Sequence, residues 1–193
     1  MAEAATQARA PTFFDRVINA TPGDSRLEMC IQCGTCGGSC PSGADMDHTP
    51  RALFAMVKAG MEKEVLISNT PWFCVSCYYC TVRCPQEIHV TDLMYTLKRY
   101  SIQKEYYKKS TSADAPPFSQ TFISLVENFG RSFELGVGTW YQLTNHPLNM
   151  PSIMPMAMGM LRRGRFDITP TRIKDMAGLK SILAKAKELE GEI

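Results

Sequence analysis

The eight cysteines of this 193-residue chain fall into two runs with the same spacing. Each run reads Cys-x2-Cys-x2-Cys-x3-Cys and is followed directly by a proline. The first run is Cys30, Cys33, Cys36 and Cys40, and the second is Cys74, Cys77, Cys80 and Cys84. Four closely spaced thiolates can surround a compact metal centre, so the pattern predicts metal–thiolate chemistry that uses every cysteine.

This spacing is typical of chains that hold a pair of [4Fe–4S] clusters. The first three cysteines of a run can curl around one cluster. The fourth, beside proline, turns away, and in two-cluster ferredoxins it ligates the other cluster. The predicted ligands of the first cluster are therefore Cys30, Cys33, Cys36 and Cys84. The predicted ligands of the second cluster are Cys74, Cys77, Cys80 and Cys40. Such crosswise sharing would hold the clusters close together, which suits electron transfer.

Two other uses of cysteine compete with this interpretation. Structural zinc usually takes two separated Cys-x2-Cys pairs rather than an uninterrupted run of four. A disulfide framework needs an oxidising compartment, and the N-terminal residues lack the basic start and apolar stretch of a secretory signal. The spacing favours iron–sulfur clusters, while a structural zinc adaptor remains a third hypothesis.

Composition narrows the remaining functions. The formal net charge is only +2, so nothing recommends nucleic acid as a partner. No apolar run approaches the eighteen or more residues of a transmembrane segment. Neither a phosphate-binding glycine loop nor a dinucleotide fingerprint is present, and no residues outline a catalytic site. We expect a cytoplasmic, non-catalytic protein.

Helical patterns surround the two runs. Thr49 and Pro50 form an N-cap and first-turn proline ahead of an apolar stripe containing Leu53 and Val57. Thr70-Pro71 repeats this cap-and-proline entry before the second run. Thr91 is predicted to cap a later helix that ends in the basic stretch 104–109. These patterns predict an all-α, two-cluster domain over residues 24–109.

The rest of the chain is predicted to flank this domain. Residues 1–23 are expected to form an N-terminal arm, and 110–117, which end in two prolines, a linker. Residues 118–193 are predicted to be a helical extension that docks on a partner. It contains an apolar stripe closed by Gly130, five methionines within 150–160, and an amphipathic tail helix over 171–190.

The cluster domain resembles the α-helical ferredoxin fold, and the chain resembles the C subunit of heterodisulfide reductase in methanogens and its bacterial homologues. The resemblance rests on C-I-Q-C-G-T-C-G-G-S-C-P (30–41), F-C-V-S-C-Y-Y-C-T-V-R-C-P (73–85) and the Met-Leu-Arg-Arg-Gly-Arg approach (160–165) to the C-terminal helix. It implies two [4Fe–4S] clusters and all eight cysteines as ligands.

The resemblance also implies a role within a complex. The chain would relay electrons between a flavoprotein A subunit and a cysteine-rich B subunit on which a disulfide is cleaved or formed. An alternative is the iron–sulfur subunit of a membrane-associated dehydrogenase of the glycerol-3-phosphate or succinate type, whose electrons go toward quinone.

Overall fold

The computed structural model describes residues 10–165 and 169–190. Within these residues every regular element is a helix, so the all-α prediction is confirmed. The chain divides into two compact units, Met1–Ala113 and Asp114–Ile193. Each unit is built from its own set of helices.

The first unit holds both cysteine runs. Its α-helices are α1 (Phe13–Ala20), α2 (Thr35–Gly38), α3 (Pro50–Lys58), α4 (Glu62–Ile67), α5 (Tyr79–Val82) and α6 (Val90–Gln103). Short 3-10 helices cover Leu27–Met29 and Tyr106–Lys109. The longest helix, α6, packs against α1, α4 and α5, and its Leu93 and Leu97 are fully buried. This apolar core supports the cysteine loops at its edge.

Helix α3 begins as predicted. The Thr49 hydroxyl accepts a hydrogen bond from the backbone N–H of Ala52, and Pro50 occupies the first turn. Leu53 and Val57 are both 0% exposed, which confirms the apolar stripe. The helix ends just before Gly60, whose positive φ of 75° is a conformation that glycine adopts without strain.

Helix α6 differs from the prediction at both ends. It begins at Val90, so Thr91 lies inside the first turn and does not cap it. The side chain of Thr91 is 1% exposed, because it faces the cysteines rather than the backbone N–H groups. The helix ends at Gln103, and the lysines at 108 and 109 belong to the following 3-10 helix.

The segment 1–23, expected to be an arm, contains a structural helix. Residues 1–9 lie outside the described residues, but α1 has a capping box in which Thr12 and Asp15 bond each other's backbone N–H. Phe13 and Val17 are buried in the core of the first unit. Helix α1 is therefore part of the cluster domain.

The second unit contains α7 (Ala115–Phe129), α8 (Glu134–Asn145), α9 (Met150–Arg162) and α10 (Met176–Glu190). Helix α7 starts within the predicted linker, because prolines in a first turn lose no helical hydrogen bond. It ends at Gly130 as predicted. The tail helix begins later than expected, and Ile182 and Leu189 on its predicted apolar side are exposed.

Candidate metal centre

The two cysteine loops have the same backbone conformation. In the first, Gln32 and Gly34 have positive φ, and α2 follows directly. In the second, the equivalent residues Ser76 and Tyr78 have positive φ, and α5 follows. Left-handed residues beside the cysteines turn the chain sharply, so that successive thiols point toward a common centre. The repeated spacing therefore encodes a repeated loop.

Each loop forms part of a separate cavity. The first cavity, of about 370 Å³, is lined by four cysteines, Cys30, Cys33, Cys36 and Cys84. The second, of about 360 Å³, is lined by the other four, Cys40, Cys74, Cys77 and Cys80. The fourth cysteine of each run thus lies beside the other run, and the cavities are similar in size.

The two cavities are neighbours. Val90, which is 2% exposed, lines both of them. Burial raises the pKa of the Cys36 thiol to about 11, and repulsion from Cys30 and from Cys80, across the two quartets, acts in the same direction. Burial also raises the pKa of Cys40, aided by repulsion from Cys74 and Cys77. Thiols of the two runs therefore interact at close range.

Lysines from the supporting helices fasten both loops. Lys58 Nζ donates hydrogen bonds to the carbonyl oxygens of Cys30 (3.1 Å) and Glu28 (3.3 Å). Lys98 Nζ donates to the carbonyl oxygen of Cys74 at 3.4 Å. The first cysteine of each loop is thus held by a cation from α3 or α6. The sequence analysis did not identify these lysines, because their targets are backbone atoms distant in the chain.

Thr70 has a different role from the one predicted. Its hydroxyl donates to the carbonyl oxygen of His48 at 2.7 Å and accepts from the backbone N–H of His48 at 3.1 Å. Asn69 and Asp47 add a reciprocal pair of bonds nearby. These bonds join the segment after the first run to the segment before the second, so Thr70 aligns the two cysteine runs instead of capping a helix.

The donor set fits iron–sulfur clusters. All eight cysteines are free thiols, and six of them are at least partly buried. Buried thiols that repel one another as thiolates need a nearby cation to ionise, and coordinated iron supplies that charge. Among residues 10–165 and 169–190, no three His, Cys, Asp or Glu side chains are arranged around a position for one metal ion. A cubane spreads its ligands over four iron atoms, so its thiolates need not converge on one point.

Comparison with known proteins agrees with this chemistry. Residues 26–88 match the model of a family described as a 4Fe-4S dicluster domain. The matched residues include both cysteine runs. No helix in the described part of the chain has the length and hydrophobicity needed to cross a lipid bilayer.

Several curated proteins of methanogens are similar to this chain. One is the C subunit of the H(2):CoB-CoM heterodisulfide,ferredoxin reductase of Methanothermobacter marburgensis, 41% identical over 81 residues, which are 42% of this chain and 43% of the relative. Another is an iron-sulfur C subunit (the one numbered 2) of the CoB--CoM heterodisulfide reductase of Methanocaldococcus jannaschii, 40% identical over 78 residues (40% and 41% of the two chains).

A third is the iron-sulfur C subunit of the CoB--CoM heterodisulfide reductase of Methanopyrus kandleri, 34% identical over 84 residues, or 44% of each chain. The chain thus spans less than half the length of these three relatives. Residues 26–88 form a 4Fe-4S dicluster domain that carries two [4Fe–4S] clusters, and the chain is a relative of the heterodisulfide reductase C subunits.

Proposed function

We propose that this chain is the electron-transfer subunit of a heterodisulfide-reductase-like complex in the cytoplasm. It relays electrons between a flavoprotein A subunit and a B subunit on which disulfide or thiol chemistry occurs. The observation that carries the proposal is the pair of neighbouring four-cysteine cavities that share Val90. The names of the curated relatives support the kind of complex.

The crosswise ligand assignment belongs to the same proposal. Cys84 belongs with the first three cysteines of run one, and Cys40 with those of run two. The lining of the two cavities supports both assignments. Each bound [4Fe–4S] cluster accepts and donates one electron. Because the ligands are exchanged between runs, neither cluster can form without both loops, and this keeps the two redox centres adjacent.

The surrounding residues serve electron transfer by keeping the site rigid and dry. Val90 fills the space between the cavities and excludes water from it, since it is almost fully buried. Phe54 and Ile88 cover the inner side of the first cavity, and Met94 covers that of the second. A fixed apolar surround limits reorganisation when an electron arrives. The free thiols are consistent with a reducing compartment.

Affinity purification under anaerobic conditions tests the proposal. The full chain, tagged and expressed in its own cells, should co-purify from the cytosolic fraction with a flavin-containing protein and a second cysteine-rich protein. Reducing the flavoprotein should then reduce the clusters of the tagged chain. An unrelated two-cluster ferredoxin with the same tag is the control. Recovery of a lone monomer, or of a membrane-bound quinone-reducing dehydrogenase, would contradict the proposed function.

A further inference from the structure

Thr91 lies against the second cluster site without a role in holding the fold. It occupies the first turn of α6, its side chain is 1% exposed, and it lines the same cavity as Cys40, Cys74, Cys77 and Cys80. It does not line the first cavity, although its neighbour Val90 lines both. A polar group has therefore been buried on one side of a cavity that is otherwise mostly apolar.

The hydroxyl of Thr91 has no hydrogen-bond partner within the protein. Buried hydroxyls are normally satisfied, and other buried threonines of this unit follow the rule. Thr21 donates to the carbonyl oxygen of Val17 at 2.7 Å, and Thr70 donates to that of His48 at 2.7 Å. The unsatisfied hydroxyl of Thr91 thus indicates an acceptor that is not a protein oxygen or nitrogen.

The position of Thr91 in its helix explains why a backbone acceptor is missing. A helical threonine usually bonds the carbonyl oxygen three or four residues earlier, as Thr121 does with Pro117 at 3.0 Å. The corresponding residues for Thr91, Glu87 and Ile88, precede the start of α6 at Val90. Its hydroxyl is therefore free to turn into the cavity. The sulfur of Cys80 lies nearby, because the Thr91 hydroxyl partly offsets the rise that burial causes in the pKa of Cys80.

We propose that the hydroxyl of Thr91 donates a hydrogen bond to a sulfur of the second cluster, either the Cys80 thiolate or an adjacent inorganic sulfide, and thereby raises the reduction potential of that cluster. Such a bond strengthens as negative charge accumulates on the sulfur, so it favours the reduced state. Thr91 is a positioning and tuning residue rather than a ligand. The inference deepens the proposed function, but it needs only that Cys80 binds the second cluster and not that the partners are correct.

The test replaces the hydroxyl by a methyl group of the same shape. In Thr91→Val, an anaerobic redox titration followed by electron paramagnetic resonance should show about a three- to tenfold lower ratio of reduced to oxidised second cluster at a fixed potential. A tenfold change corresponds to about 59 mV for one electron. The first cluster should keep its potential, and Thr91→Ser should restore the second. The second cluster's signal is identified by its loss in Cys77→Ala.

Thr96→Val is the matched control. Thr96 lies on the same helix and is also 1% exposed, but its hydroxyl bonds the Thr21 hydroxyl at 3.1 Å. This variant should lose stability without moving either potential. The proposal is overturned if Thr91→Val leaves the second potential unchanged, or if both clusters or the Thr96 variant shift equally. If Thr91→Val assembles no second cluster, Thr91→Ser decides: assembly supports a hydroxyl bond to the cluster, and failure shows a packing role only.

Discussion

Cys84 is far in sequence from Cys30, Cys33 and Cys36, yet all four side chains line one cavity. We predict that Cys84→Ala loses the first cluster, about four of the roughly eight irons per chain. Because one cluster would already be gone, adding Cys30→Ala should remove no further iron, whereas adding Cys74→Ala should remove nearly all of it. Iron and labile-sulfide analysis measures each variant. If Cys84→Ala and Cys74→Ala instead prove to affect the same cluster, the crosswise assignment is wrong.

Glu62 is a second residue with effects beyond its neighbourhood. Its carboxylate is 23% exposed and forms ion pairs with Arg16, in α1, and with Lys104, just after α6. Burial alone would raise the pKa of Glu62, but hydrogen bonds from Lys104 and Arg16 outweigh it and lower the pKa below the ordinary 4.5. The ionised form thus stabilises the fold above that pH and ceases to do so as the pH falls through the lower, folded-state pKa.

We therefore predict that Glu62→Gln destabilises the protein by about 1 kcal/mol at pH 7, a magnitude expected for partly exposed ion pairs. The difference from the unchanged protein should shrink as the pH falls below about 4.5. Urea unfolding followed by circular dichroism measures it at each pH, and acid lability of the clusters affects both proteins alike. The exposed Glu64→Gln on the same helix is the control and should have almost no effect. A difference that grows in acid would contradict the assignment.

The element that matters most is the short cysteine loop followed by a single helical turn. Gly34 immediately precedes α2 with φ of +87°, and a Cβ there would meet only Arg51, at 3.6 Å. The obstacle to a side chain is therefore the backbone conformation rather than space. The equivalent Tyr78 accepts the same strain in the second loop at φ of +61°.

Gly34→Ala should cost about 1–2 kcal/mol, the penalty for a left-handed residue with a Cβ. We expect the first cluster to be lost faster on warming or on exposure to a chelator, with the second less affected. Absorbance of the clusters and iron release over time measure this. Gly38→Ala, at the end of α2 with no atom within 4 Å of the added Cβ, is the control and should leave the rates unchanged. Equal effects of the two substitutions would show that backbone strain is unimportant.

At the scale of the whole molecule, the core and both cavities lie within one unit. Helix α9 of the other unit exposes Met154, Met156 and Met158, with Met156 at 63%. Methionines adapt to irregular protein surfaces, which supports the proposed docking role of residues 118–193. The core of the first unit includes residues from α1 through α6, so that unit has the apolar contacts needed to fold alone.

A chain ending at Ala113 should therefore keep both clusters but bind its partner subunits more weakly. Iron content and the cluster spectrum test the first expectation, and anaerobic co-purification with the partners tests the second. The full-length variant Met156→Glu, which leaves every cysteine in place, should also weaken association. Undiminished co-purification of the shortened chain would refute the docking role of the C-terminal unit.

Local signals in the sequence predicted the parts of the structure that depend on neighbouring residues. The Thr49-Pro50 start of α3 and the Gly130 end of α7 were found where expected, because caps involve atoms only a few residues apart. Thr70 and Thr91 were wrongly predicted to be caps. Both hydroxyls face groups brought near by folding, and no short window of sequence reveals those groups.

Two clusters and their eight candidate ligands follow from the sequence alone, because thiolate spacing along a short loop is a local property. Only the tertiary structure decided that Val90 separates two adjacent cavities, that α1 completes the core, and that Thr91 faces the second cavity. These features depend on how helices pack across long stretches of chain. Side-chain burial and the meeting of distant loops are settled by that packing, which residue spacing does not encode.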